Sequence, residues 1–283
     1  MKNSFRNWRE FVFLIPSLAG VSVFVFLPFA DVVRRSFMNA TGRVFTWFDN
    51  YQMVVQNPAF RLAMGNTGRF LVVCVPLVLI ISLLLANVIH FCSSSLGRRR
   101  QFLRNICLLP LAAPVASLIF VWQMVFHKNG LINTYLDISM DWLNSPFAFW
   151  VLAATFLWKN MGYYVVLWLA GLEAIPEELY EAAAVDGAGA FAKFRYVILP
   201  GLRPMLSAAF VLAVTATLKS YRESYLLAGE YPDRSIYMVQ HLFHNWFRDM
   251  SVEKMSAGAV VLVGIFAVMV LPLRKKGAWN LEK

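Results

Sequence analysis

Six predominantly apolar stretches of roughly 20 residues punctuate this chain of 283 residues, and a helix needs a run of about that length to cross the hydrocarbon layer. They lie at about 11–30, 69–91, 102–127, 147–171, 205–228 and 255–273. Backbone polar groups find no water inside lipid, so runs of this length are compatible with helices and little else. The fold class that follows is all-α and integral to the membrane. A secretory signal would show a shorter apolar region and a small-residue cleavage site, so the first run is read as a retained span. Pro76, Pro110 and Pro114 fall in or near spans, where neighbouring helices can satisfy the freed carbonyls.

Composition agrees. At 59% hydrophobic and 15% charged residues, the apolar surplus exceeds what one water-soluble core could bury. The net charge of +10 raises the question of nucleic acid, but no basic stretch is interleaved with exposed aromatics. Cations that anchor helix ends at the membrane surface explain it instead. Cys74, Cys92 and Cys107 are too few for a disulfide framework and read as small apolar fillers.

Six spans place both termini on one side. The N-terminus, residues 91–104, residues 172–204 and the tail carry fourteen Lys and Arg, against eight in the longer opposite loops. The bias puts both termini and the 172–204 loop in the cytoplasm, although Arg34 and Arg35 run against it. The outer loop 31–65 holds Thr46-Trp-Phe-Asp-Asn-Tyr51, expected as a short interfacial helix because Trp and Tyr favour the headgroup level. No linker or repeat divides the chain, which reads as one membrane domain over 1–283.

The 172–204 loop has the grammar of a docking element. Ile175-Pro176-Glu177-Glu178 starts a helix, with proline at its first position and acids at the positive end of the dipole. Leu179, Ala182 and Ala183 share a face beside Glu181, and the alanines leave a smooth surface for another backbone. Asp186-Gly187 ends the helix, since glycine reaches the left-handed conformation freely. A second helix carries Phe191, Phe194 and Ile198 as an apolar stripe, stopped by Pro200 and Pro204. On shape alone, a hairpin with no partner is an equal reading.

Glu181-Ala-Ala-Ala-Val-Asp-Gly187, followed after nine residues by Val197-Ile-Leu-Pro200, resembles the EAA signature of binding-protein-dependent ABC importer permeases. The one departure is Val197 in place of the usual Ile. The resemblance runs on through Ala170-Gly-Leu-Glu-Ala-Ile-Pro-Glu-Glu-Leu-Tyr180 and Leu199-Pro-Gly-Leu-Arg-Pro204. Three weaker stretches point to the carbohydrate-type permeases: Trp122 with Asn129-Gly-Leu-Ile-Asn133, Trp158-Lys-Asn-Met-Gly162 and Lys219-Ser-Tyr-Arg-Glu-Ser-Tyr225. The resemblance implies the type I permease fold, with Glu181, Ala182, Ala183, Asp186, Gly187, Leu199 and Pro200 coupling to a cytoplasmic ATPase. It also implies a similar second permease chain, an extracellular solute-binding protein and a sugar substrate. ATP and Mg would belong to the partner ATPase, with no cofactor on this chain. No Gly-rich phosphate loop is present, so the chain itself is not expected to hydrolyse ATP.

Charge at membrane depth is costly and usually faces a water-filled path or another subunit. Lys159, Asn160, Tyr163 and Tyr164 in span four, and Lys219, Arg222, Glu223 and Tyr225 in span five, are the substrate-path candidates. Aromatics beside amide and charged groups suit the hydroxyls and weakly apolar ring face of a sugar. Snorkelling to the outer interface is the competing reading for the span-five charges. Lys219 and Glu223 are spaced to pair along one helix face. Trp122 and Gln123 read as interfacial belt, and His241 with His244 as an amphipathic loop helix within 237–250, no third metal ligand being placed. The rivals to sugar import are import of a non-sugar or anionic solute, a polytopic membrane enzyme and a self-sufficient channel or carrier.

Overall fold

The structure is a computed structural model and describes residues 4–91 and 98–275. Cys92 and the cations Lys2, Lys276 and Lys283 lie outside the described residues. Helices follow one another in the order α1 (Ser4–Val21), a π turn (Ser22–Phe26), α2 (Leu27–Ser36), α3 (Asp49–Gln56), α4 (Pro58–Phe91), α5 (Arg98–Ala112), α6 (Val115–Phe126), α7 (Leu131–Leu136) and α8 (Ala148–Glu173). Then come α9 (Glu177–Val185), α10 (Ala190–Lys193), a second π turn (Phe194–Ile198), α11 (Leu199–Gly201), α12 (Arg203–Leu218), α13 (Tyr221–Ala228), α14 (Val239–Arg248) and α15 (Val252–Lys275). Among the described residues the only β pairing is an isolated bridge between Met38 and Phe45.

Prolines decide where these helices deform. A proline ring collides with the carbonyl four residues back. Ahead of Pro28 and Pro200 that carbonyl is moved aside by widening the turn: Leu27 N–H bonds to Ser22 O, and Leu199 N–H to Phe194 O, each five residues back. Pro200 therefore does not stop the second loop helix, which runs on to Gly201. Pro204 likewise sits in the first turn of α12, where its missing N–H costs nothing. Pro114 acts differently. Extended at φ −58° and ψ 132°, it separates α5 from α6, so the expected third span is two helices rather than one. Pro176, also extended, stands one place before the first helical residue of α9.

Among the described residues, five stretches are long and apolar enough to cross a membrane: Val12–Ser36, Pro58–Phe91, Val115–Leu136, Arg203–Ala228 and Val252–Met269. At 34 residues α4 is about 50 Å long and begins well before the expected 69. The expected fourth span exists as α8 but is not among the five, because Lys159, Asn160 and several Trp and Tyr dilute it. It is instead enclosed by protein, with Phe149, Leu152, Phe156, Tyr164, Val165, Trp168, Leu169 and Leu172 all buried. A helix that faces protein on most sides has little need to match lipid.

Packing divides the chain into two compact units, one holding the residues up to Arg61 with Leu242–Val268, the other built on Leu62–His241. In the second unit, Phe70 of α4 meets Phe149 and Phe156 of α8 edge-on at 6.0 and 5.6 Å. The Arg69 guanidinium lies 4.1 Å over the Phe149 ring. Trp168 donates its indole N–H to Ser82 Oγ at 2.9 Å, so α4 and α8 share a buried polar contact. Along α5, Gly162 lets the helices touch backbone to backbone: a Cβ there would strike the Cys107 carbonyl. In the first unit, Trp246 stacks between Phe60 and Phe243, with Gly258 against the same rings. Among the described residues, none of the apolar window of Val12–Ser36 is buried.

Candidate coupling loop and transport path

The α9–α11 loop is built to project. Acidic Glu177 and Glu178 open α9, and a Schellman motif closes it: Gly187 N–H bonds to Ala184 O at 3.1 Å and Ala188 N–H to Ala183 O at 2.9 Å. Gly187 holds φ +69°, the left-handed value the closure needs. Glu181, Ala182 and Asp186 are exposed, and Ala183, Leu199 and Pro200 are half-buried. The stripe expected on the second helix is graded rather than uniform: Ile198 is buried, Phe194 half-buried and Phe191 exposed. Leu179, Val185, Phe191 and Tyr196 leave apolar surface open on this small element. Ile198 and Leu202 root its returning arm in the core.

Tyr180 fixes the other face of α9, its ring 6.2 Å from His90 and 6.1 Å from Phe91 at the end of α4. Burial pushes the Tyr180 phenol above its ordinary pKa. A cavity of about 520 Å³, lined by His90, Phe91, Glu173, Tyr180 and Lys193 among others, lies beneath the helix.

At membrane depth the decisive contact joins α8 to α13. The Lys159 ammonium donates to Glu223 Oε1, with the two side chains only 15% and 7% exposed. Glu223 Oε2 is buried with no hydrogen-bond partner. The expected Lys219–Glu223 pair does not form, because the helix breaks between Leu218 and Tyr221 and the intended face is lost. Gln240 donates to the freed Leu218 carbonyl at 2.6 Å.

A binding-protein-dependent transport system inner membrane component is the family whose profile matches residues 78–273. The chain belongs to that family. It is similar to the trehalose/maltose transport system permease of Thermococcus litoralis, 30% identical over 84% of this chain and 82% of that one. It is similar also to the sulfoquinovosyl glycerol transport system permease of Agrobacterium fabrum, 30% identical over 90% and 84%. A chain from the crystal structure of a bacterial ABC transporter involved in the import of the acidic polysaccharide alginate superposes with a TM-score of 0.83, covering 100% of this chain and 99% of that one. At 19% identity that likeness concerns the fold. The protein is thus a multi-pass membrane permease, a transport subunit of the ABC importer type.

The permease brings some of its path candidates together and scatters others. Lys159 and Glu223 meet. Asn160 spends its amide on the Phe156 carbonyl at 2.8 Å, and Tyr164 is buried in the core. Tyr163, Lys219 and Arg222 are exposed, and Tyr225 is half-buried against Tyr221. Three residues gained roles that no local pattern announced. Gln123, read as belt, donates to the Leu226 and Leu227 carbonyls at 2.9 and 3.1 Å. Asn66 donates to the Arg234 and Tyr237 carbonyls, pinning the loop before α14. Asn133 of the Asn129–Asn133 stretch is a knot: it donates to Lys128 O and Met140 O and accepts from the Trp142 indole. Among the described residues no three His, Cys, Asp or Glu gather as metal ligands. His241 is buried, with Nδ1 accepting from Met238 N–H.

Proposed function

We propose that this permease carries a sugar or oligosaccharide inward, driven by two cytoplasmic ATPase subunits that grip the α9–α11 loop. The observation that supports the grip is α9 itself: nine residues, closed by the Gly187 turn, with Glu181, Ala182 and Ala184 outward and apolar surface left open. ATP and Mg reside in the partner subunits. Glu181 meets a basic group of the ATPase, and Ala182, Ala183 and Asp186 line the contact, with Leu199 and Pro200 on the returning arm. A similar second permease completes the path, and an extracellular binding protein delivers the ligand. The chain acts as a single working domain with both termini in the cytoplasm. ATP-driven closure of the ATPases swings the loops and opens the path outward; hydrolysis resets it. A short rigid helix suits this motion, which must be transmitted without melting.

The names of the relatives, trehalose and maltose among them, support the sugar reading. A second reading, an anionic sugar, is favoured by the exposed cations Lys219 and Arg222 and by the relative named for sulfoquinovosyl glycerol. Uptake into vesicles by the reconstituted importer, across neutral sugars, acidic sugars and non-sugar anions, separates them. Uptake confined to a non-carbohydrate ends both. For the grip, Glu181→Lys is expected to abolish copurification of the ATPase, and retained coupling would contradict it.

A further inference from the structure

We propose that the loop following the first span, residues 37–56, is an anchor in the membrane interface. Val44, Phe45, Trp47 and Phe48 enter the boundary between acyl chains and headgroups in the leaflet where Ser36 emerges, and Arg43 lies on headgroup phosphate.

The loop is too well tied to fold its rings away. Asn39 Oδ1 accepts from Thr41 Oγ1, Arg43 N–H and Val44 N–H at 2.9, 3.1 and 3.2 Å. Asn50 Nδ2 donates to the Ser36 and Met38 carbonyls at 2.9 and 2.7 Å, and the Ser36 and Tyr51 hydroxyls sit 2.6 Å apart. Phe37 fills the inside of this knot, against Phe45, Phe48 and Tyr51. The helix expected over 46–51 starts only at Asp49, because Trp47 stands at φ +52°. That left-handed backbone strains a residue with a Cβ, and here it turns an indole outward to 68% exposure. Within the described residues the indole gains only an edge-on contact with Phe45 at 4.9 Å, so most of the strained residue's apolar surface is left for something outside the chain.

The bilayer is the occupant that fits. The loop continues directly from Val12–Ser36, whose apolar window has no residue buried among the described residues. Rings leaving the end of such a helix arrive at headgroup depth, where Trp is favoured. Arg34 and Arg35 are held by Asp31, at 3.0 and 2.7 Å, while Arg43 remains exposed for a phosphate. The inference is independent of which solute is carried.

The test uses the whole importer in nanodiscs of phosphatidylcholine and phosphatidylglycerol, with or without bromine just below the headgroups. Trp47→Gly suits the left-handed backbone, so the emission it removes is that of Trp47; Trp47→Phe gives the same difference if the glycine variant does not assemble. Bromine is expected to quench that emission, as an indole at headgroup depth requires. Equal emission in both discs overturns the anchor. So does emission that ignores bromine and changes only when the solute-binding protein or a maltooligosaccharide is added, for the rings would then belong to that partner.

Discussion

Lys159 and Glu223 form a buried ion pair, and such pairs matter most when one member is lost. Lys159→Met alone strands the carboxylate and is expected to cost about 3 kcal/mol, read as a lower unfolding temperature of the purified complex. Lys159→Met with Glu223→Leu removes both charges and is expected to recover most of that loss. If the double variant also regains transport, the pair is a brace; if it is stable yet inactive, one charge serves the path. Gly162→Ala is expected to be worse than its size suggests, since the added methyl meets the Cys107 backbone, which cannot yield as a side chain would. Measured by yield of assembled complex, it should fall below Gly171→Ala, whose added methyl first meets the Leu202 and Met205 side chains. Sequence alone suggested a charge partner for Glu223, but the wrong one. Spacing along a helix sees neighbours four residues away, whereas Lys159 is 64 residues distant.

The proposed coupling requires α9 to end where it does. Gly187 has open space around it, so its replacement is penalised by backbone conformation alone. Gly187→Val should cost about 1–2 kcal/mol in loop conformation, and Gly187→Asn clearly less, because Asn tolerates the left-handed region. The expected order of ligand-stimulated ATPase activity is wild type, then Asn, then Val; equal activity would show that the turn is not under load. This loop was legible from sequence because its signals are local: a proline, two acids and a glycine at fixed offsets. Helix breaks were less so. Pro110 lies inside an unbroken helix, Pro114 splits one, and Pro200 widens a turn. The three share one residue type and differ in backbone outcome, which a linear pattern does not carry. Trp47 misled in a similar way, since its side chain suggested an interfacial helix while its backbone forms the turn that precedes one.

For the molecule as a whole, orientation is checked by a thiol reagent that cannot cross the membrane, applied to intact cells with single cysteines in a chain lacking its own. A cysteine at Tyr135 is expected to react and one at Glu181 to be protected; the reverse would invert the topology. The apolar spans were readable because lipid imposes one simple demand on every residue it touches. α8 was located by the same rule, but its enclosure by protein was not foreseeable from its own residues. That enclosure bears on biosynthesis. Lys159 leaves the ribosome 64 residues ahead of the carboxylate that neutralises it. At the translocon α8 therefore carries an unmatched ammonium until α13 has been made, so it should linger beside the channel rather than partition at once. A nascent chain cut before Tyr221 should leave α8 poorly inserted, and Lys159→Met in the same truncation should let it enter the bilayer unaided.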